Sequence, residues 1–171
     1  MNKDSESNGF NAMNPVIMTY EKLMPIAYPL ANRFYKQAGE KGKTQSTDSV
    51  YVARLGAKII AAVRLCPVLV RSQGGGSVSQ NRLLLRSLAV LPEHRRTGVG
   101  RRFMEYVVEQ IDAYECWCYP FSWLEQFYSQ TDFRLISPED TPAFIRVPFE
   151  NYSRQGRDIL IMVRNYNGIN T

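Results

Sequence analysis

The feature that most restricts this chain is the run Leu83-Leu84-Leu85-Arg86-Ser87-Leu88-Ala89-Val90-Leu91, which Pro92 ends. Every residue but Arg86 and Ser87 is apolar. A strand apolar on both faces must be covered on both, so it belongs at the centre of a sheet. A second periodicity follows at once. From Gly98 to Ala113, Val99, Phe103, Met104, Val107, Val108 and Ile111 recur at helical spacing, with Arg101, Arg102, Glu105, Glu109 and Asp112 on the opposite side. Buried strand, tight loop and amphipathic helix therefore stand in a row.

The rest of the chain adds shorter elements. Tyr20–Ala38 predicts a helix, on the spacing of Leu23, Ile26, Ala27, Leu30, Ala31 and Phe34, with Pro25 and Pro29 delaying its start or kinking it. Gly39–Ser49 is a polar loop. Val50–Leu55 and Lys58–Leu65 flank Gly56 as a β-hairpin, with room for the second strand to run past Pro67 to Val70. Gln73–Gln80 holds three consecutive glycines and is expected to be a mobile loop. Glu115–Tyr119 predicts a strand. Phe121–Gln130 predicts a helix with Phe121, Leu124 and Tyr128 on one stripe, Phe133–Ile136 a strand, and Arg157–Arg164 the last strand. Ser137 is placed to cap a helix that has Pro138 at its first position. The expected order is α-β-β-β-α-β-α-β-α-β. Residues 1–14 are polar and expected to be a disordered tail, leaving 15–171 as one domain.

Composition matters where it excludes classes. With 44% apolar and 22% charged residues the chain reads as globular. No stretch has the length of a membrane span, and residues 1–14 lack the apolar core of a secretory signal. Cys66, Cys116 and Cys118 make an odd, sparse set, a poor disulfide framework. A cytoplasmic protein is expected. The net charge of +5 favours an anionic partner without naming one.

The loop Arg95-Arg96-Thr97-Gly98-Val99-Gly100 carries the chemistry. Glycines at i and i+2 let backbone amides approach a ligand closely. The helix start adds unpaired N–H groups and the positive end of the dipole. Cations there are unfavourable by about 0.3–1 kcal/mol each, yet Arg95, Arg96, Arg101 and Arg102 crowd this end. A bound polyanion, such as a pyrophosphate, accounts for them. Other glycine-rich loops fail: a dinucleotide fingerprint needs glycine where Phe103 stands, and the Gly-Lys-Ser/Thr of a P-loop is absent.

Arg-x-x-Gly-x-Gly after a strand ending Leu-Ala-Val and then Pro-Glu resembles the coenzyme A loop of the GNAT (GCN5-related N-acetyltransferase) superfamily, most strongly over Arg82–Met104. Phe127-Tyr128 and Phe133 extend the resemblance, which covers Val50–Leu135. It implies an α/β (α+β) fold: a single GNAT-like domain whose mixed, mostly antiparallel sheet is flanked by helices and splayed between the strands of Leu83–Leu91 and Glu115–Tyr119. It further implies an acyl-CoA-dependent N-acyltransferase taking acetyl from acetyl-CoA to a primary amine by direct attack. The amides of Arg96 to Arg101, thus of Arg96, Thr97, Gly98, Val99, Gly100 and Arg101, would hold the pyrophosphate, with the side chains of Arg95 and Arg96 assisting. The backbone of Leu88, Ala89 and Val90 would pair with the pantetheine arm. Tyr128 would be the general acid for the leaving thiolate.

Departures from the family pattern are equally specific. Many relatives carry a glutamate on the strand where this chain has Arg86, so the general base is open among Glu93, Glu125, Asp132 and a water chain. Arg86 would bind an acidic acceptor or pair with a carboxylate. Phe121 stands nearest the family's usual asparagine, and Thr131-Asp132-Phe133 replaces Leu-Gly-Phe. No metal site is expected: Cys116-x-Cys118 lacks zinc spacing. The resemblance implies a small-molecule or protein amine as acceptor, its site built around Phe34–Ser49 and the C-terminal strands, and a homodimer stays open. The alternative function is a non-catalytic acyl-CoA sensor or a basic nucleic-acid-binding module, the latter disfavoured by the absence of a helix-turn-helix or RNP pattern.

Overall fold

The computed structural model describes residues 17–68, 70, 71, 77, 78 and 81–165. The stretch expected as a disordered tail, and most of the glycine-rich one expected to be mobile, lie outside the described residues.

The hairpin around Gly56 is present as β2 (Ser49–Leu55) and β3 (Lys58–Pro67). Beyond it a two-stranded ribbon, β4 (Val70–Arg71) with β5 (Ser77–Val78), takes the place of an extension of β3. The apolar run forms β6 (Arg82–Val90) and leads into helix α2 (Val99–Gln110). The chain then makes β7 (Glu115–Cys118), α3 (Glu125–Ser129), β8 (Arg134–Leu135), α4 (Ala143–Arg154) and β9 (Met162–Arg164). A further strand, β1 (Met18–Lys22), precedes α1 (Tyr28–Ala38). The main sheet runs β1-β2-β3-β6-β7-β9-β8. Among the described strands only β6 and β7 pair in parallel, with α2 as their crossover. The fold is the mixed, mostly antiparallel sheet flanked by helices that was expected.

β6 is central, as its apolarity on both faces requires. Val99, Phe103, Met104, Val107 and Ile111 are buried between α2 and the sheet. A smaller cluster of Trp117, Ile145, Ile161 and Val163 lies under α4.

Further expectations change. The helix expected from Tyr20 begins only at Tyr28. Residues 18–22 instead pair antiparallel with β2, and Pro25 opens a single 3-10 turn. That turn resets the phase of α1, so Ile26 is 90% and Leu30 42% exposed, while Tyr28, Ala31, Phe34, Tyr35 and Ala38 are buried. Second, Ser137 caps no helix: its hydroxyl goes to the Glu139 carboxylate at 2.6 Å, and residues 138–140 make only a 3-10 turn. α4 starts after Pro142. Third, the last strand shrinks to Met162–Arg164, because Gly156 turns left-handed (φ 80°) and Ile159 makes only an isolated bridge to Phe121.

Candidate active site

β6 is distorted at its middle. Ala62 of β3 pairs with Ala89, but Arg64 pairs with Arg86, so Ser87 and Leu88 together oppose Val63. This is a β-bulge, and Ser87 carries its strain at φ 52°. The loop after α1 presses on it. A Cβ added to Gly42 would stand 2.4 Å from the Ser87 hydroxyl, so only glycine fits there. That loop is anchored by the buried pair of Asp48 and Arg64 at 2.8 Å and by the Thr44 amide, which donates to Asn32 Oδ1 at 2.9 Å.

The bulge bends β6 away from its parallel neighbour. Pairing with β7 stops at Leu85–Cys118, while β6 runs on to Val90. Leu91 donates its amide to the Ile60 carbonyl across β3. Backbone groups alternate sides along a strand, so Val90 and Leu88 turn theirs to the open side and Ala89 turns its own to β3. Arg86, Leu88, Tyr119, Tyr128, Tyr152 and Arg157 are among the residues lining the resulting cleft of about 250 Å3.

Beyond this open edge stands the start of α2. Pro92–His94 make a 3-10 turn, Arg96 takes φ 60°, and Gly98 is the N-cap at φ 84° with no side-chain cap. Arg102 is the first to bond back, to the Gly98 carbonyl. The amides of Val99, Gly100 and Arg101 therefore have no intrahelical partner, a concavity suited to an oxyanion.

A family model described as an acetyltransferase (GNAT) domain matches residues 46–135. The chain belongs to the GNAT acetyltransferase family. No curated protein matches it in sequence. Solved structures share the fold. The ribosomal-protein-S18-alanine N-acetyltransferase from Escherichia coli is 16% identical, with a TM-score of 0.62 over 91% of this chain and 99% of that one. The PaiA N-acetyltransferase from Thermoplasma acidophilum, solved with coenzyme A, is 13% identical with a TM-score of 0.56, covering 88% and 99%. A GNAT family acetyltransferase from Brucella melitensis, solved with acetyl-CoA, is 16% identical with a TM-score of 0.55, covering 70% and 84%.

In this GNAT acetyltransferase the loop's cations divide unequally. Arg95 turns inward, donating to the carbonyls of Val90 (2.9 Å) and Ala38 (3.2 Å), so it braces the loop against β6 and α1. Arg101 pairs with Glu105 at 2.9 Å, one turn along. Arg96 is exposed at the loop tip. Thr97 donates its hydroxyl to the His94 carbonyl at 2.6 Å, closing the turn.

Tyr128 is buried, with its ring edge-on to Phe127 and Phe133 at 5.2 and 5.6 Å, and it lines the cleft. Burial pushes its phenol well above the ordinary value, and the nearby thiols of Cys118 and Cys116, then Glu40, add to this. Cys116 and Cys118 are themselves buried, and burial raises both thiols. The carboxylates considered from sequence sit elsewhere: Glu93 bonds Lys58 at the surface, and neither Glu125 nor Asp132 lines the cleft. The carboxylate that does line it is Glu40, whose polar loop carries no local pattern to mark it in the sequence. Its position is built. Gly39 ends α1 left-handed, and the Glu40 amide returns to the Tyr35 carbonyl at 2.9 Å. Arg86 is exposed and donates to the Tyr152 hydroxyl at 3.1 Å. Phe121 stacks on Trp123 at 4.6 Å at the rim.

Proposed function

We propose that this protein transfers the acetyl group of acetyl-CoA to the primary amine of an acceptor by direct attack in the cleft between β6 and β7. The observation that carries the reading is the bulge. It leaves Leu88 and Val90 without a partner strand on the open side of β6, between the uncapped start of α2 at one end and Tyr128 in the cleft, with only Arg95 reaching the Val90 carbonyl. The amides at the start of α2 hold the pyrophosphate, with Arg96 beside them and Arg95 stiffening the loop. The freed edge of β6 takes the pantetheine amides as a neighbouring strand would.

The chemistry needs a neutral amine, a stabilised tetrahedral oxyanion and a proton for the leaving thiolate. Glu40 is our candidate for accepting the amine's proton, directly or through water. The Leu88 amide faces the open side, where it can donate to the oxyanion. As the carbon–sulfur bond breaks, Tyr128 gives its proton to sulfur. Burial weakens Tyr128 as an acid, but a thiolate leaving in the same apolar surroundings is raised by the same desolvation, so the two stay matched.

Acetyl-CoA as donor is supported by the complexes of the two structurally similar proteins solved with coenzyme A or acetyl-CoA. We read residues 15–171 as one functional unit. No helix among the described residues is long and apolar enough to cross a membrane, and we place the enzyme in the cytoplasm. Titration calorimetry with acetyl-CoA tests the central claim: micromolar affinity is expected, and no detectable binding at millimolar ligand would refute it.

A further inference from the structure

The cleft carries two arginines that acetyl transfer itself does not call for. Arg86 projects from β6 just before the bulge, and its guanidinium bonds the Tyr152 hydroxyl of α4 at 3.1 Å. Arg157 lies over the same ring, with its guanidinium carbon 4.8 Å from the Tyr152 centroid. Its placement is built into the fold. Gly156 turns left-handed after α4, and the Arg157 amide returns to the Tyr152 carbonyl at 3.2 Å. Both side chains are exposed and line the cleft. Among the described residues neither meets a carboxylate. Asp158, next along the chain, bonds the Ser122 hydroxyl instead. Two guanidiniums held on one tyrosine, facing a cleft and unneutralised, form a fork for an oxyanion.

We propose that the acceptor is a small amine that also carries an oxyanion, a carboxylate or a phosphate, and that Arg86 and Arg157 clasp that group while the amine reaches toward Leu88 and Tyr128. This rests on the acetyltransferase reading of the cleft and narrows its substrate. The cleft, at about 250 Å3, suits a small molecule. Glu40, the acidic lining residue, completes a polarity in which the acceptor's amine and its anion find opposite charges. Arg86 thus selects the acceptor.

The test is thiol release from acetyl-CoA with matched amines: the standard L-amino acids, their carboxamides, 2-aminoethyl phosphate, ethanolamine and spermidine. Turnover is expected with an oxyanion-bearing amine and at least tenfold lower kcat/KM for its uncharged counterpart. Preference for a carboxylate or for the phosphate distinguishes the two sources of the anion. Arg86→Gln and Arg157→Gln should each raise the acceptor's KM at least tenfold, with kcat within about threefold and acetyl-CoA affinity, read by calorimetry, unchanged. A merely structural role would move the melting temperature and acetyl-CoA affinity instead. Carboxamides, ethanolamine or spermidine acetylated as well as the anionic amines would overturn the proposal, as would bound acetyl-CoA with no turnover of any anionic amine. Failure to bind acetyl-CoA at all would be a failure of the acetyltransferase reading itself.

Discussion

Gly98 and Gly100 stand two residues apart, yet the structure predicts opposite outcomes when each becomes alanine. Gly98 is the N-cap of α2 at φ 84°, and an added Cβ would meet nothing within 4 Å. In the free protein Gly98→Ala therefore costs only left-handed backbone strain, about 1–2 kcal/mol. For a chain of this size that lowers Tm by about 2–8 °C. In the proposed complex the empty space is the pyrophosphate's place. Displacing the anion forfeits charge-assisted bonds to the amides beyond the cap, each worth about 1.5–3 kcal/mol. Losing two means at least about 100-fold in acetyl-CoA affinity. At Gly100 an added Cβ would make ordinary contacts, 3.5 Å from Phe127 Cε2 and from Val90 Cγ2, inside the first turn of the helix. Gly100→Ala should stabilise by about 0.5–1 kcal/mol, the usual helical gain, and keep affinity within threefold. Gly56→Ala is the control. Its φ of 60° is also left-handed and its surroundings equally open, but it lies in the β2–β3 turn. Calorimetry and thermal melts on the three variants decide. If Gly98→Ala loses no more affinity than Gly56→Ala, or Gly100→Ala loses as much as Gly98→Ala, the pyrophosphate does not sit on this helix start.

Tyr128→Phe keeps the ring packed against Phe127 and Phe133, so acetyl-CoA affinity should hold while kcat falls about 10²–10⁴-fold; a kcat within threefold of the parent, measured with an acceptor from the amine panel, removes Tyr128 from catalysis. Asp48→Ala strands the Arg64 guanidinium in the core, which should cost about 3–5 kcal/mol. Glu93→Ala, which breaks an exposed pair with Lys58, should cost far less in the same urea titrations, and equal losses would contradict the burial assigned to Asp48. Alkaline stability follows from the thiols. Their ordinary pKa is 9.0, but burial holds Cys66 and Cys116 at about 12 in the folded chain. Above pH 9.0 the unfolded chain therefore binds fewer protons than the folded one, and stability falls as pH rises. Melting temperatures should decline from pH 9.0 toward about 12, and a plateau across that window would show that the thiols ionise in place.

What sequence could reveal of this fold depended on how local its cause was. β6, the loop and α2 are legible because burial on two faces, a proline stop and a helical stripe are all written within thirty consecutive residues. The phase of α1 is hidden because Leu23, Ile26 and Leu30 sit at helical intervals by accident. Leu23 is buried outside the helix, its amide bonded to the Val50 carbonyl, while Ile26 faces solvent. β1 is hidden for a related reason. As an edge strand it shows only a half-buried pattern, and Tyr20 earns its place by stacking on Tyr106 at 4.8 Å, a contact invisible in order of sequence.

The site was legible only along β6 and α2, since Glu40, Tyr152 and Arg157 reach the cleft from the ends of other helices. Even within β6 the decisive distortion left no mark. A strand with one buried face advertises its register by alternation, and an inserted residue would break that pattern visibly. A run apolar on both faces has no alternation to break. Leu83 and Leu85 before the bulge, and Ala89 and Leu91 after it, are all buried although the bulge exchanges the faces they point to. The apolarity that announced a central strand therefore concealed the bulge that opens it. Ser87, a residue with no glycine's licence for positive φ, takes up the strain because Gly42 and the loop behind it leave that conformation no room to relax. It follows that the opening of the cleft is governed as much by the loop after α1 as by β6 itself, and that the same loop delivers Glu40, the proposed base, to the cleft.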